Sequence, residues 1–122
     1  MSKDGKIDYL EFPSSDITKT KQFFEKVFGW SFKDYGDDYT CFFNQGLNGG
    51  IYRSEKVAAV EKGSTLAVLY SQNLEETQAK VEKAGGLTVK EIFSFPGGRR
   101  FHFSEPGGSE FAVWSDIEKG SC

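Results

Sequence analysis

Residues 14–30 read SSDITKTKQFFEKVFGW, and residues 71–87 read SQNLEETQAKVEKAGGL. Aligned at a separation of 57 positions, both stretches start with Ser and an Asx residue and reach a Gly at the same point. Eight pairs of aligned residues are identical or similar, and six of them are identical. One of the identical pairs, Lys33 with Lys90, lies beyond the two stretches. An Asx residue caps the first turn of a helix, and Gly fits its end. These matching boundaries predict a duplicated unit built around two helices.

Both stretches have the apolar periodicity of an amphipathic helix. One runs from the cap Asp16 to about Gly29, and the other from the cap Asn73 to about Gly85. Apolar residues and threonines recur in them at three- and four-residue spacing, so one face of each helix is expected to be buried. The residues on these faces are Ile17, Thr20, Phe24, Val27 and Phe28 in the first helix, and Leu74, Thr77, Val81 and Ala84 in the second.

Each predicted helix is preceded by one strand and followed by three. The leading strands are predicted at 6–12 and 65–70. Turn residues separate the following strands, which are predicted at 30–35, 39–43 and 50–53, and at 87–93, 99–104 and 110–114. The charged, small-residue segment 54–64 is expected to be an exposed connection. The pattern is βαβββ twice, with module one at about 5–54 and module two at about 64–117 of one domain over 1–122.

This element order predicts the fold class. A strand, a helix and a second strand followed by hairpins give a mixed sheet with its helix on one face. Two such modules in tandem predict an α+β fold with a cupped mixed β-sheet, both helices on the outer face and a free concave face.

Composition excludes several functional classes. The chain has 122 residues with 15 Lys+Arg against 18 Asp+Glu, and the basic residues are spread along it, so nucleic-acid binding is not expected. No window reaches the roughly 18 to 20 apolar residues of a membrane span, and the start has no signal-peptide run. A cytoplasmic protein without a membrane partner is therefore expected. Cys41 and Cys122 have neither zinc-site nor disulfide-scaffold spacing and are interpreted as free thiols.

Three motifs add a family resemblance to this duplicated topology. They are IDYLEFPSSDI at 7–17, FF at 23–24 with VFGW at 27–30, and FSEPGGSEFAVW at 103–114. With them the chain resembles the vicinal-oxygen-chelate superfamily, which includes glyoxalase I, bleomycin-resistance proteins, fosfomycin-resistance enzymes and extradiol dioxygenases. The resemblance covers nearly the whole chain and implies the fold predicted above. It also implies a homodimer. Because many activities share one fold, function has to be inferred from the site.

Metal-dependent members of that superfamily hold a divalent ion with His, Gln or Glu on the first and last strands of the modules. The ion acts as a Lewis acid toward two substrate oxygens. The resemblance places these ligand positions on Tyr9, Leu66 and Ala112, and the equivalent position of the first half offers only Tyr52. These side chains cannot complete a three- or four-ligand shell, so neither a metal nor another cofactor is expected.

Strand alternation predicts which side chains line the cup. If Leu10 and Phe12 face the helix, then Tyr9 and Glu11 face the cup, and the same alternation applies to the other strands. The expected ligand-binding residues combine aromatic side chains with a carboxylate, a guanidinium and an imidazole. They are Tyr9, Glu11, Tyr52, Tyr70, Arg100, His102 and Trp114.

Several of these residues have a functional and a structural interpretation. Glu11 is a charge within an apolar strand, so it is expected to bind a cation, act as a base, pair with Arg99 or Arg100, or lie near solvent at the mouth of the cup. Arg100 can clamp a carboxylate or phosphate, or it can be solvated or paired with a Glu. His102, the only histidine, can act as a general acid or base, or be a hydrogen-bonded core residue. The aromatic residues can stack on a planar ligand, enclose a cation, or belong to the core.

These observations favour a glyoxalase/bleomycin-resistance-like protein that binds a small planar or charged molecule in the cup between its modules, without a catalytic metal. One alternative is a metal-independent lyase or isomerase with Glu11 or His102 as the catalytic proton shuttle. A second is a metal-dependent glyoxalase-type lyase, and a third is a dimeric interaction module without a ligand. The sequence leaves open whether the protein is an enzyme.

Overall fold

The computed structural model describes residues 3–117, which contain two α-helices, eight strands and one 3₁₀ turn. In module one, β1 (Tyr9–Ser14) precedes α1 (Ile17–Phe28), and β2 (Phe32–Asp34), β3 (Tyr39–Gln45) and β4 (Leu47–Arg53) follow. In module two, β5 (Ala67–Tyr70) precedes α2 (Leu74–Lys83), and β6 (Leu87–Phe95), β7 (Gly98–Ser104) and β8 (Glu110–Ser115) follow. The predicted βαβββ duplication is confirmed.

The two modules have the same sheet topology. Each forms a four-stranded sheet, with the orders β1-β4-β3-β2 and β5-β8-β7-β6. In both sheets the first strand of the module pairs in parallel with the last, and the remaining pairs are antiparallel. The parallel pair forms because the helix carries the chain back over the sheet before the hairpins begin. The predicted α+β class with mixed sheets is confirmed.

The helices begin at the predicted capping residues. The Asp16 carboxylate accepts a hydrogen bond from the Lys19 amide at 3.1 Å, and the Asn73 side chain accepts one from the Glu76 amide at 3.0 Å. Gly29 ends α1 in the left-handed conformation with a φ of 72°, which glycine adopts without steric cost. The second helix ends just before Gly85, so both predicted ends are correct to within about two residues.

An aromatic core joins the two modules. Phe24 of α1 lies 5.1 Å from Phe111 of β8 between ring centroids, and Phe23 lies 5.5 Å from Phe103 of β7. Phe12 of β1 contacts Phe111 edge to face at 4.7 Å. The sequence pattern omitted Phe23 from the buried face of α1, although it is almost fully buried. It is buried because α1 packs against the second sheet as well as its own.

The loop between β7 and β8 also ties the modules together. The Glu105 side chain is only 2% exposed and accepts hydrogen bonds from the Thr20 hydroxyl and the Gly107 amide, both at 2.6 Å. It also accepts one from the Ser109 amide at 3.1 Å, while the Ser109 hydroxyl donates to the Pro13 carbonyl at 2.6 Å. Burial raises the pKa of Glu105, although these hydrogen bonds oppose the shift.

The connection between the modules differs from the sequence prediction. Residues 57–59 are half-buried, and a 3₁₀ turn follows at Val60–Lys62. Glu110 donates its amide to the Ala58 carbonyl at 2.8 Å, and Ala58 donates its amide to the Ser109 hydroxyl at 3.1 Å. The prediction of a fully exposed connection was wrong here, because pairing between β5 and β8 starts only at Phe111 and leaves the backbone of Glu110 available.

Two sequence expectations concern cysteines and membranes. Cys41 is a free, half-buried thiol, whereas Cys122 lies outside the described residues. None of the helices within residues 3–117 has the length and apolarity needed to span a bilayer.

Candidate functional site

The concave face of module one consists of the side chains of β1, β3 and β4 that point away from α1. Register pairs Glu11 of β1 with Gly50 of β4, and Gly50 with Cys41 of β3. Phe12, the next residue along β1, is buried toward the helix. The structure thus places Tyr9 and Glu11 on the concave face.

Three residues on this face form a hydrogen-bonded network that ends at a carboxylate. The Tyr39 hydroxyl donates to Glu11 Oε2 at 2.7 Å and lies 2.6 Å from the Tyr9 hydroxyl. Because the Tyr39 proton is directed at Glu11, Tyr9 is the donor between the two phenols. Cys41 Sγ lies 3.3 Å from the Tyr9 hydroxyl. We call Tyr9, Glu11 and Tyr39 the tyrosine–glutamate network.

The network keeps both phenols protonated. Burial, followed by the hydrogen bonds with Tyr9 and Glu11, raises the pKa of Tyr39 far above its ordinary value. The hydrogen bond with Cys41 is the largest cause that raises the pKa of Tyr9. Tyr39 therefore remains a neutral hydrogen-bond donor to Glu11 across the physiological pH range.

Gly50 makes this network possible. It lies on β4 between Glu11 and Cys41, and a Cβ atom at this position would overlap the Tyr39 hydroxyl. The absence of a side chain lets the Tyr39 ring lie across β4 and reach β1. The sequence prediction did not include Tyr39 among the site residues, and it started a strand at Gly50, which lies inside β4. No sequence signal marks this network, because the pairing of Gly50 with Glu11 and Cys41 depends on strand register.

A cavity of about 320 Å³ lies where the two modules meet. Its volume is at the lower end of the range for small-molecule sites, about 300 to 1,000 Å³. Both modules and the connection between them contribute to its wall. The lining includes Leu10, Glu11, Pro13 and Tyr52 of module one, Lys56 to Ala58 of the connection, and Ala67, Glu110 and Phe111 of module two.

His102 belongs to a buried dyad with Glu110. The two side chains are 4% and 9% exposed, and His102 Nδ1 lies 2.8 Å from Glu110 Oε2. The other Glu110 oxygen accepts the Val60 amide at 2.9 Å. His102 Nε2 is buried and has no hydrogen-bond partner within residues 3–117. His102 and Glu110 line a second cavity of about 500 Å³ beside the connection, and Glu110 borders both cavities.

Four residues form a row across the sheet of module two. Register pairs Phe93 with Arg100, Arg100 with Trp114, and Trp114 with Tyr70. The Arg100 guanidinium carbon lies 5.4 Å from the Phe93 ring centroid, and the Tyr70 and Trp114 rings meet edge to face at 5.3 Å. The Tyr70 hydroxyl donates to Asp116, and this hydrogen bond raises the pKa of Tyr70. We call these four residues the aromatic row.

Of the alternatives for Glu11, pairing with an arginine was wrong, and the side chain is exposed, as the alternative of a position near solvent predicts. Arg99 binds Glu75 of α2, with an Nη1–Oε2 distance of 2.6 Å. Arg100 lies over Phe93 and Phe95 rather than beside Glu11. Strand alternation separates the two neighbouring arginines, because Arg99 points to the helix side of the sheet and Arg100 to the concave side.

The predicted ligand-binding residues fall into three places. Glu11 and Tyr52 line the intermodule cavity, and Tyr9 reaches Glu11 through Tyr39. His102 lines the second cavity, and the remaining three belong to the aromatic row. These are Tyr70, Arg100 and Trp114.

The positions that the family resemblance assigns to metal ligands do not suit a divalent ion. Leu66 and Ala112 carry no donor atoms in their side chains, and the Tyr9 hydroxyl is engaged with Tyr39 and Cys41. Among the residues that the structure describes, no three or more His, Cys, Asp or Glu side chains are grouped so that they could hold a metal ion.

Comparison with known proteins is consistent with this architecture. Residues 6–113 match the family model of the Glyoxalase/Bleomycin resistance protein/Dioxygenase superfamily. None of the curated proteins compared with the chain matches it.

Solved structures share the fold at low sequence identity. A glyoxalase-related enzyme from Fulvimarina pelagi superposes with a TM-score of 0.74 at 15% identity, covering 91% of this chain and 88% of the other. Lactoylglutathione lyase from Agrobacterium tumefaciens has a TM-score of 0.69 at 14% identity, with coverages of 93% and 96%. TioX from Micromonospora sp. ML1 has a TM-score of 0.66 at 15% identity, with coverages of 93% and 100%. At these identities the similarity shows a shared fold and says nothing about activity.

Proposed function

This chain belongs to the glyoxalase/bleomycin resistance protein/dioxygenase superfamily, and on that premise we propose that it binds a small organic molecule in the cavity between its modules, without a catalytic metal. The observation that carries the proposal is the Glu11 carboxylate at the wall of that cavity. One of its oxygens is held by Tyr39, and no described residue donates a hydrogen bond to the other.

The lining of the intermodule cavity favours a ligand with an apolar body and one cationic or donor group. Leu10, Ala67 and Phe111 supply apolar surface, and Lys56 is the one cation of the lining. Glu110 also borders the cavity, but its carboxylate is engaged by His102 and the Val60 amide. A carboxylate with a free oxygen beside apolar surface gains most from a ligand that supplies a positive charge or an N–H donor.

The tyrosine–glutamate network orients the Glu11 carboxylate for ligand binding. Tyr39 fixes one carboxylate oxygen, and Tyr9 in turn fixes Tyr39, so the acceptor is oriented before a ligand arrives. Binding sites that are already ordered avoid part of the entropic cost of immobilising side chains. The absence of metal-ligand side chains at the family's ligand positions agrees with binding through this carboxylate.

A second candidate function is metal-independent proton transfer, as in a lyase or isomerase. The buried His102–Glu110 dyad favours it, because a carboxylate on Nδ1 orients the ring and leaves Nε2 as the reactive nitrogen.

Like superfamily members of similar length, the chain is also proposed to be a homodimer, which light scattering of the purified protein would test.

Isothermal titration with small planar cations such as benzamidine tests the leading proposal. Glu11→Gln should weaken binding at least tenfold, because it removes the charge and keeps the shape of the side chain. Glu25→Gln on the exposed face of α1 is the matched control and should bind like the wild type. Equal affinities of the Glu11→Gln variant and the wild type would overturn the assignment of Glu11.

A further inference from the structure

We propose that the aromatic row of module two is a second binding site, for planar aromatic rings that carry an oxyanion, with Arg100 as the anion-binding residue. Its members do not line the intermodule cavity or the His102 cavity. The proposal goes beyond the function proposed for Glu11 and does not depend on it.

Two adjacent arginines differ in their partners. Arg99 makes two hydrogen bonds to the Glu75 carboxylate, at 2.6 and 3.3 Å. Arg100 has neither a hydrogen bond nor an ion pair to any residue from 3 to 117. A half-buried guanidinium without an acceptor has lost part of its hydration, and only contacts with aromatic rings compensate for that loss. An anionic ligand would supply the missing acceptor.

Two cations lie beside one ring on this face. Lys90 Nζ lies 4.6 Å from the Phe93 ring centroid, so Phe93 contacts two cations, Lys90 and Arg100. The carboxylates of Glu110 and Asp116 contact His102 and the Tyr70 hydroxyl, and neither pairs with Lys90 or Arg100. Two like charges beside one ring repel each other, and a bound anion would relieve that repulsion.

Aromatic rings surround the Arg100 guanidinium. The Arg100 guanidinium lies 5.4 Å from the Phe93 centroid and 5.8 Å from the Phe95 centroid, within the range of cation–π contact. The Trp114 ring flanks Arg100 in register and lies 6.4 Å from Phe95. The rings restrict the guanidinium on one side, and its terminal nitrogens form a planar fork that matches the two oxygens of a carboxylate or phosphate. Trp114 and Tyr70 offer surface for stacking a planar ring.

Nuclear magnetic resonance titration with 2-naphthoate tests this inference directly. The indole N–H signal of Trp114 should shift on binding, whereas that of Trp30, which is buried in the aromatic core, should not. Naphthyl phosphate tests the second oxyanion, and binding of either anion supports the site. The uncharged 2-naphthamide should bind at least tenfold more weakly, a comparison that needs no variant.

Variants then assign the anion contact. Arg100→Gln should weaken naphthoate binding at least tenfold, and Arg100→Lys, which keeps the charge but loses the fork, should weaken it by a smaller factor of about three. Lys33→Gln, at the module-one position that corresponds to Lys90, changes the net charge equally and should have no effect. Glu11→Gln should also have no effect, which separates this site from the cavity site. No Trp114 shift with either anion up to about 10 mM, naphthamide binding as tight as naphthoate binding, or wild-type affinity in Arg100→Gln would each overturn the proposal.

Discussion

Replacing Gly50 with alanine should disconnect Tyr39 from Glu11. The new methyl group would overlap the Tyr39 hydroxyl, which is the end of a side chain that can rotate away. The protein should therefore fold, but without the Tyr39–Glu11 and Tyr9–Tyr39 hydrogen bonds. Each such bond contributes a net 0.5 to 1.5 kcal/mol, and exposure places this pair in the lower half of that range, so their loss should cost about 1 to 2 kcal/mol. The midpoint of thermal unfolding should fall by about 4 to 8 °C.

A double-mutant cycle isolates the contact. Gly50→Ala and Tyr39→Phe remove the same hydrogen bonds, so the double variant should lose clearly less stability than the sum of the two single losses. Tyrosine ionisation, followed by ultraviolet absorbance, gives a second measurement. Gly50→Ala should add one tyrosine that ionises near its ordinary pKa of 10.0, because Tyr39 has left the network. Tyr35→Phe, at an exposed ring on module one, is the control for the absorbance amplitude.

The network also predicts how stability depends on alkaline pH. The pKa of Tyr39 is raised in the folded protein, so above its ordinary value of 10.0 the unfolded chain releases this proton while the folded chain keeps it. Stability should therefore fall as the pH rises above about 10, and Tyr39→Phe should lose less stability over that interval. Additive stability losses in the cycle, together with unchanged tyrosine ionisation in Gly50→Ala, would refute the described role of Gly50.

Three further predictions concern the junction of the modules. Glu105→Ala should cost about 3 kcal/mol in denaturant unfolding, because it leaves the buried Gly107 and Ser109 amides without an acceptor; a loss below about 1 kcal/mol would contradict this. Phe111→Ala should cost about 3 to 5 kcal/mol and leave a single unfolding transition, because this ring contacts module one; two separate transitions in calorimetry would disprove that coupling. Gly107→Ala should lower the melting temperature, because its methyl group would overlap the Ser14 and Thr20 hydroxyls; an unchanged melting temperature would argue against the tight contact.

The fold could be predicted because its signals are local. Asp16 and Asn73 cap their helices through hydrogen bonds to amides three residues further on, and Gly29 ends α1 through its own backbone conformation. Because the two halves of the sequence repeat each other, the same order of strands could be predicted around both helices. What sequence periodicity missed was Phe23, whose burial depends on the second sheet and therefore on the packing of the modules.

The candidate site could be predicted only in part, because its contacts depend on register. Alternation along β1 separates Glu11 from Phe12 without further information. The partner of Glu11 is Tyr39, two strands away across Gly50, and strand pairing cannot be obtained from one sequence without knowing register. Arg99 and Arg100 are alike in the sequence, and only the position of Glu75 on α2 shows which of them is paired.

The most direct test of the central claim is thermal unfolding of chelator-treated wild-type protein and of Glu11→Gln, each with small planar cations and, separately, with Ni²⁺, Zn²⁺, Mn²⁺ and Co²⁺. Ligands that bind the native state raise the unfolding midpoint by mass action. Metal-free binding at Glu11 predicts that an organic cation raises the midpoint of the wild type but not of Glu11→Gln, and that the metals have no comparable effect. A rise with a divalent metal at low concentration, and none with the organic cations, would contradict it.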